Sequence, residues 1–302
     1  MQQAADILEL DPAVTMATPS RWVDFYELTK PRMNFLVLVT TLVGFYMASA
    51  TKLNWALLIP TLLGTAFTAA AASVLNQIVE RDYDALMPRT RNRPLAAARL
   101  GIGEAMVFAL SLGIAGALTL ALAVNVLTAL LGAFTLLSYV FLYTPLKRVT
   151  TFNTVLGAIP GAIPPVMGFT AVHNALSPGA ITVFAILFFW QMPHFLAIAI
   201  LYRKDYALAG FKMLPVVDED LSVTSRQIVL YAVALIPVSL MPTFVGSAGP
   251  AYFGVALMLG LAFLSFAASC AISKTRADAR KLFFASIIYL PALLGVMMLD
   301  RG

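Results

Sequence analysis

Asn76, Glu80 and Asp84 recur every four residues at the end of a long, almost uncharged apolar run. In an α-helix each step of four advances by about 40°, so the three side chains share one narrow stripe, spaced about 6 Å apart. Asp82 falls on another face. Two carboxylates and a carboxamide in this spacing are oxygen donors suited to a hard divalent cation such as Mg²⁺. Carboxylates beside hydrocarbon are costly, so their default placement is toward a protein cavity. A solvated helix end would give the same bare pattern. The next residues shift the balance, because Arg89, Arg91 and Arg93 follow within a Met87–Leu95 segment. Carboxylates that hold a metal beside guanidinium forks make a site for a diphosphate. The stripe predicts a membrane enzyme that handles a phosphorylated substrate.

A second constellation runs from Trp190, Gln191, Pro193 and His194 through Tyr202, Arg203, Lys204 and Asp205 to Gly210. On a continuous helix His194 and Asp205 lie about 20° apart and about three turns distant. Pro193 removes one backbone hydrogen bond beside His194 and predicts a kink. A histidine in an apolar helix is usually a packing residue, although Trp190 and Gln191 favour a polar pocket here. Asp205 serves equally as a site residue or as a loop partner of Arg203. A third segment carries Tyr143, Lys147 and Arg148, then Asn153, Gly157, Pro160, Gly161, Pro164, Pro165 and Gly168. Topology alone accounts for the two cations. The Gly/Pro run predicts a broken or bent helix. Its glycines fit close approach of a flat ligand or close helix packing equally well.

The elements that must position these residues follow from composition. Of 302 residues, 60% are hydrophobic and only 12% charged, which predicts a polytopic, all-α membrane protein. Nine segments are long enough to span, near 33–50, 54–79, 103–123, 125–143, 152–172, 179–201, 227–246, 250–273 and 281–299. Residues 33–302 read as one transmembrane domain. Residues 1–32 precede it as an interfacial segment, with Trp22, Phe25 and Tyr26 beside Lys30 and Arg32.

With nine spans, 18 of the 20 basic residues fall on one side, leaving Lys52 and Arg301 opposite. The positive-inside rule puts the N-terminus in the cytoplasm and the C-terminus outside. The same side takes 14 of the 15 acids, concentrated in loops near 80–102 and 202–226. The net charge of +5 is therefore loop topology, and a nucleic-acid surface is not expected. Asp6, Glu9 and Asp11, with no basic residue before Arg21, fit neither a signal peptide nor a transit peptide, which favours a bacterial plasma membrane. The single cysteine, Cys270, excludes an intrachain disulfide, and two histidines exclude a multi-histidine metal centre. Asp84 and Asp205 lie 121 residues apart, each before a basic loop. That spacing suggests two four-helix pseudo-repeats plus one helix, with both loops over a central cavity.

Taken together, these residues resemble the UbiA-type intramembrane prenyltransferase superfamily. More narrowly, they resemble its heme branch, the protoheme IX farnesyltransferases or heme O synthases. The resemblance spans about Glu27 to Leu299 and is most specific over Asn76–Leu95, Tyr143–Gly168 and Trp190–Pro215. The superfamily's first motif, N/D-x3-D-x3-D, here has Glu80 at its middle position, as in the heme branch. The second, normally aspartate-rich, departs to His194 and Arg203-Lys204-Asp205. The resemblance implies a nine-helix bundle in which farnesyl diphosphate binds at the cytoplasmic mouth and a vinyl group of heme b is the acceptor. It further implies Mg²⁺ held by Asn76, Glu80 and Asp84, with Asp205 for a second metal. Arg89, Arg93, Lys147, Arg148, Arg203 and Lys204 would hold diphosphate oxygens. His194, Trp190 and Tyr202 would lie on the acceptor side. The product would supply terminal oxidases directly or through a heme A synthase.

Three other readings compete with this one. A sibling prenyltransferase acting on a quinone precursor or chlorophyllide would share the diphosphate machinery. An ion-coupled transporter would need midspan polar groups for alternating access, whereas the charges here cluster at one mouth. A structural assembly subunit would have no use for an Arg-flanked carboxylate stripe.

Overall fold

The computed structural model describes residues 20–49 and 52–302. The acidic stretch Asp6–Asp11 lies outside them. Nine helices among the described residues are long and apolar enough to cross a membrane. After a short helix α1 (Arg21–Leu28) come α2 (Pro31–Ala48), α3 (Trp55–Asp84), α4 (Ile102–Ala123) and α5 (Val126–Leu137). A π-helical stretch, Ser138–Tyr143, and one turn, α6 (Thr144–Leu146), continue α5. There follow α7 (Asn153–His173), α8 (Pro178–Leu201), α9 (Arg203–Leu208), α10 (Leu214–Val217), α11 (Ser222–Phe244), α12 (Pro250–Ser273) and α13 (Arg276–Leu299).

Capping residues set the boundaries that hydropathy left open. The Asn125 side chain accepts from Thr128 N at 2.8 Å and splits α4 from α5 at the turn the sequence marks. Ser177 caps Ala180 N ahead of Pro178, and Asn54 caps Leu57 N. Three spans reach further than their apolar cores: α3 runs on through Asp84, α11 starts at Ser222 and α13 at Arg276. Their polar first or last turns stay helical because the backbone is cheapest to satisfy by its own ladder.

Successive spans pack side by side from α2 round to α13, and α13 closes against α2. The α2–α7 contact crosses this ring, and α7 is the most buried span. The two cross without intervening side chains: a Cβ added at Gly44 would overlap the Pro165 carbonyl, and one at Gly168 would overlap the Thr41 carbonyl. Gly157 lies under the Tyr143 ring and Gly161 against the Gln191 amide. Helix packing thus explains these glycines, the reading the sequence could not separate from ligand approach. The helix is not broken, since α7 continues through Pro160, Pro164 and Pro165. Neighbours on several sides hold it where proline removes ladder bonds.

Helix α1 is an amphipathic element with Trp22 and Tyr26 exposed and Leu28 fully buried. Arg99 ties it to the loop after α3, donating to Asp24 at 2.8 Å, to Glu27 at 2.9 Å and to the Asn92 carbonyl at 2.7 Å.

Candidate active site

The last three turns of α3 bury Asn76, Glu80 and Asp84 together, each at most 5% exposed, while Asp82 points out and pairs with Arg81. Each buried group meets one cationic side chain from a different part of the chain. Lys30 Nζ donates to Asn76 Oδ1 at 2.7 Å, and Lys147 Nζ to Glu80 Oε1 at 2.7 Å. Arg93 Nη1 donates to Asp84 Oδ2 at 2.7 Å. The other Asp84 oxygen, Oδ1, is buried with no hydrogen-bond partner among the described residues.

The π-helical stretch sets the orientation of Asn76. Thr144 Oγ1 donates to the Tyr139 carbonyl at 2.8 Å and accepts from Asn76 Nδ2 at 3.1 Å. This turns the Asn76 carbonyl oxygen toward Lys30. Such π insertions recur at functional sites because they re-aim side chains at the cost of one irregular turn. Here the insertion also brings Tyr139 and Tyr143 together, with ring centroids 5.3 Å apart, and the Lys147 ammonium sits 4.5 Å from the Tyr143 centroid.

Charge is concentrated here. Burial, and then repulsion from Arg93 and Lys147, push the Lys30 ammonium down to about 7, with Glu80 and Asp84 only partly offsetting them. For Lys147 burial is again the largest influence and acts downward, but the Glu80 carboxylate together with Tyr143 and Tyr139 outweighs it and the net shift is upward. Two further cations stand at the mouth. Arg89 lies 4.7 Å over the Tyr202 ring and 5.8 Å over Tyr206, and Arg148 lies 4.3 Å over Tyr83. A guanidinium held by a ring face keeps its N–H donors free for an anion.

The loops after α6 and α9 are hydrogen-bonded together, and the loop after α3 packs against the second of them through Met87. Lys212 N donates to the Lys147 carbonyl at 2.7 Å, and Asn153 Nδ2 donates to the Lys212 carbonyl at 3.0 Å. Beneath them Met87, Ala199, Ala209, Phe211 and Met213 form a buried apolar floor. The loops that the sequence placed over one cavity do meet.

Not every predicted residue joins the stripe. Arg203 donates to the carbonyls of Asp218 and Glu219 at 3.3 and 3.2 Å, which holds the loop before α11. Lys204 is exposed, and Asp205 is half-buried in the first turn of α9, touching none of Asn76, Glu80 or Asp84 by hydrogen bond or ion pair. His194 and Trp190 face α13: His194 Nδ1 pairs with Ser286 Oγ at 2.7 Å, and Trp190 Nε1 donates to the Ser286 carbonyl at 2.9 Å. Tyr202 stands apart from them, under Arg89. Sequence reasoning missed Lys30, read only as an interfacial anchor, and Thr144. No local pattern could have found Lys30, since its partner Asn76 is 46 residues away.

Donor chemistry suits a divalent cation. Three oxygen-bearing side chains share a buried stripe, and one carboxylate oxygen has no hydrogen-bond partner among the described residues. Among the described residues no group of three acidic, histidine or cysteine side chains forms a metal cluster, so a site here draws on the Asn76 amide oxygen.

The model of the UbiA prenyltransferase family matches residues 37–288. The chain belongs to this family. Curated UbiA relatives named protoheme IX farnesyltransferase include one from Solibacter usitatus, 47% identical, covering 92% of this chain and 98% of the relative. Another, from Myxococcus xanthus, is 45% identical over 92% of this chain and 94% of the relative. Among solved structures, a digeranylgeranylglyceryl phosphate synthase matches with a TM-score of 0.76 at 15% identity, covering 93% of this chain and 99% of that one. A UbiA homolog from Archaeoglobus fulgidus, described as bound to DMAPP and Mg²⁺, matches with a TM-score of 0.68 at 17% identity, covering 91% and 99%. At that distance the solved structures establish the UbiA fold of the bundle.

Proposed function

We propose that this protein transfers the farnesyl group of farnesyl diphosphate to a vinyl group of heme b, with addition of water, giving heme O and diphosphate. The acceptor rests on the relatives named protoheme IX farnesyltransferase, matched over nearly their whole length. The chemistry rests on one observation: a buried oxygen stripe whose members are each met by a separate cation.

Breaking an allylic C–O bond separates a carbocation from a diphosphate anion, so catalysis depends on stabilising the anion and shielding the cation. Arg89, Arg93, Lys147, Arg148, Arg203 and Lys204, together with Lys30, bind the diphosphate oxygens. A diphosphate is a stronger partner for Lys30, Lys147 and Arg93 than the stripe is. Its arrival draws these cations across and releases Asn76, Glu80 and Asp84. Asn76, Glu80 and Asp84 are the residues that would hold Mg²⁺, and Asp205 would be available to a second ion. When bound, the metal neutralises charge building on the leaving group. The apolar bundle takes the farnesyl chain and excludes water from the cation until the vinyl group has attacked. His194, Trp190 and Tyr202 serve the acceptor side.

The protein works in a bacterial plasma membrane with its charged mouth and N-terminus in the cytoplasm. Its product passes to a terminal oxidase or a heme A synthase. The test is to incubate membranes containing the protein with heme b and farnesyl diphosphate, with and without Mg²⁺, and to analyse extracted hemes by mass. Heme O formed only with Mg²⁺ is the expected result. An unmodified heme pool beside a prenylated quinone precursor would reassign the acceptor.

A further inference from the structure

The contact between α8 and α13 is built in a way that helix packing alone does not require. Ser286 is fully buried on α13, and its hydroxyl has a single proton, donated to the Phe283 carbonyl at 2.5 Å. The same oxygen lies 2.7 Å from His194 Nδ1. With its proton already placed, the hydroxyl can only accept from the ring. In a neutral imidazole one nitrogen donates and the other holds a lone pair. Nδ1 is therefore the protonated nitrogen, an assignment made from the network. Nε2 carries the lone pair, and no hydrogen bond from the described residues engages it.

The faces of the ring are held as well. Trp190 stacks on it with centroids 4.8 Å apart and planes 20° apart, and Phe283 does so at 5.2 Å and 28°. Trp190 is itself anchored to the Ser286 carbonyl. Stacked faces leave the imidazole edge for a ligand, and the ring is only half-buried. A hydrogen-bond acceptor on one ring nitrogen, with the other nitrogen open, is the arrangement that metal-ligating histidines use.

We infer that Ser286 is a positioning residue that fixes His194 in the Nδ1–H tautomer, so that Nε2 presents its lone pair to the iron of the acceptor porphyrin. This rests on the reading of heme b as acceptor. The iron is part of the substrate, and the bond is a reversible axial ligation that holds the macrocycle while a vinyl group reacts. No electron or group is transferred to His194.

The full-length protein in detergent is titrated with heme b and, separately, with iron-free protoporphyrin IX, following the porphyrin absorption. Heme b is expected to show the shift of imidazole-ligated iron. His194→Ala should lose that shift, and added imidazole should restore it. Ser286→Ala should weaken heme b binding about tenfold to a hundredfold, as loss of an outer-shell partner does, and leave iron-free porphyrin unaffected. Equal weakening for both porphyrins would mean a merely structural serine and overturn the proposal, as would an unchanged spectrum in His194→Ala. Should Ser286→Ala not fold, Ser286→Cys, similar in volume but a poor acceptor, carries the same comparison. A wild-type protein that ligates heme b yet makes no heme O supports the ligation and removes the proposed activity instead.

Discussion

Replacing Glu80 with glutamine separates what its charge does for the fold from what it does for turnover. The Glu80 side chain is 6% exposed, that of Lys147 is 13% exposed, and the two meet at 2.7 Å. At that separation the attraction is about 6 kcal/mol for an effective dielectric near ~20. Burying both charges opposes this, so the net cost of removing one partner is about 3–5 kcal/mol. Without substrate, Glu80→Gln should therefore lower the thermal midpoint of the detergent-purified protein. Inorganic diphosphate should recover part of that loss, because it gives the stranded Lys147 ammonium a new counter-anion. Turnover should not recover with it. Glu80 would act by holding the cation that neutralises the leaving group, an electrostatic contribution of about 10²–10³ in rate, and a neutral glutamine is a poor substitute for that ligand. The assay is heme O formation at saturating farnesyl diphosphate, measured beside a melting curve on the same preparation. If the variant melts early but turns over within tenfold of wild type, Glu80 only balances Lys147 and the reasoning fails.

Asp84→Ala should abolish turnover while the protein still inserts and is recovered from membranes; normal heme O production by that variant would remove Asp84 from the site. Gly168→Ala would force α2 and α7 apart at the Thr41 carbonyl and should cost about 1–3 kcal/mol, judged by melting. Gly254→Ala, with nothing within 4 Å of the new Cβ, should instead be neutral or gain about 0.5–1 kcal/mol; equal losses in the two would contradict the crossing described. Arg99→Ala leaves Asp24, whose side chain is 3% exposed, without its cation, and should cost about 3 kcal/mol. Because Arg99 also holds the Asn92 carbonyl, next to Arg93, the same variant should raise KM for farnesyl diphosphate; an unchanged KM would show that α1 does not steady the diphosphate loop.

The transmembrane architecture was legible because each span obeys local physics. Twenty or so apolar residues need a helix in lipid whatever their neighbours do, and Asn125, Ser177 and Pro178 mark ends by their own side chains. Pairing charges across the sequence was beyond that reach. Arg93 and Lys147 were expected on diphosphate and are found on Asp84 and Glu80, because a buried carboxylate is costly without a cation beside it. Arg203 was read the same way as Arg93, and in the structure it holds two loop carbonyls rather than a member of the stripe. Residue type alone could not distinguish them.

The sequence by itself determined that this chain spans a membrane, that its charged groups gather at one face, and that Asn76, Glu80 and Asp84 share a stripe. Those properties depend on composition and helical period, which act over a few residues. Only the tertiary structure decided which groups complete the site, since Lys30, Thr144 and Ser286 act on partners 46, 68 and 92 residues away. Such distances are closed by the packing of helices against one another, and in a bundle of similar apolar spans that packing is fixed by where glycines let backbones touch and where buried polar atoms must find each other.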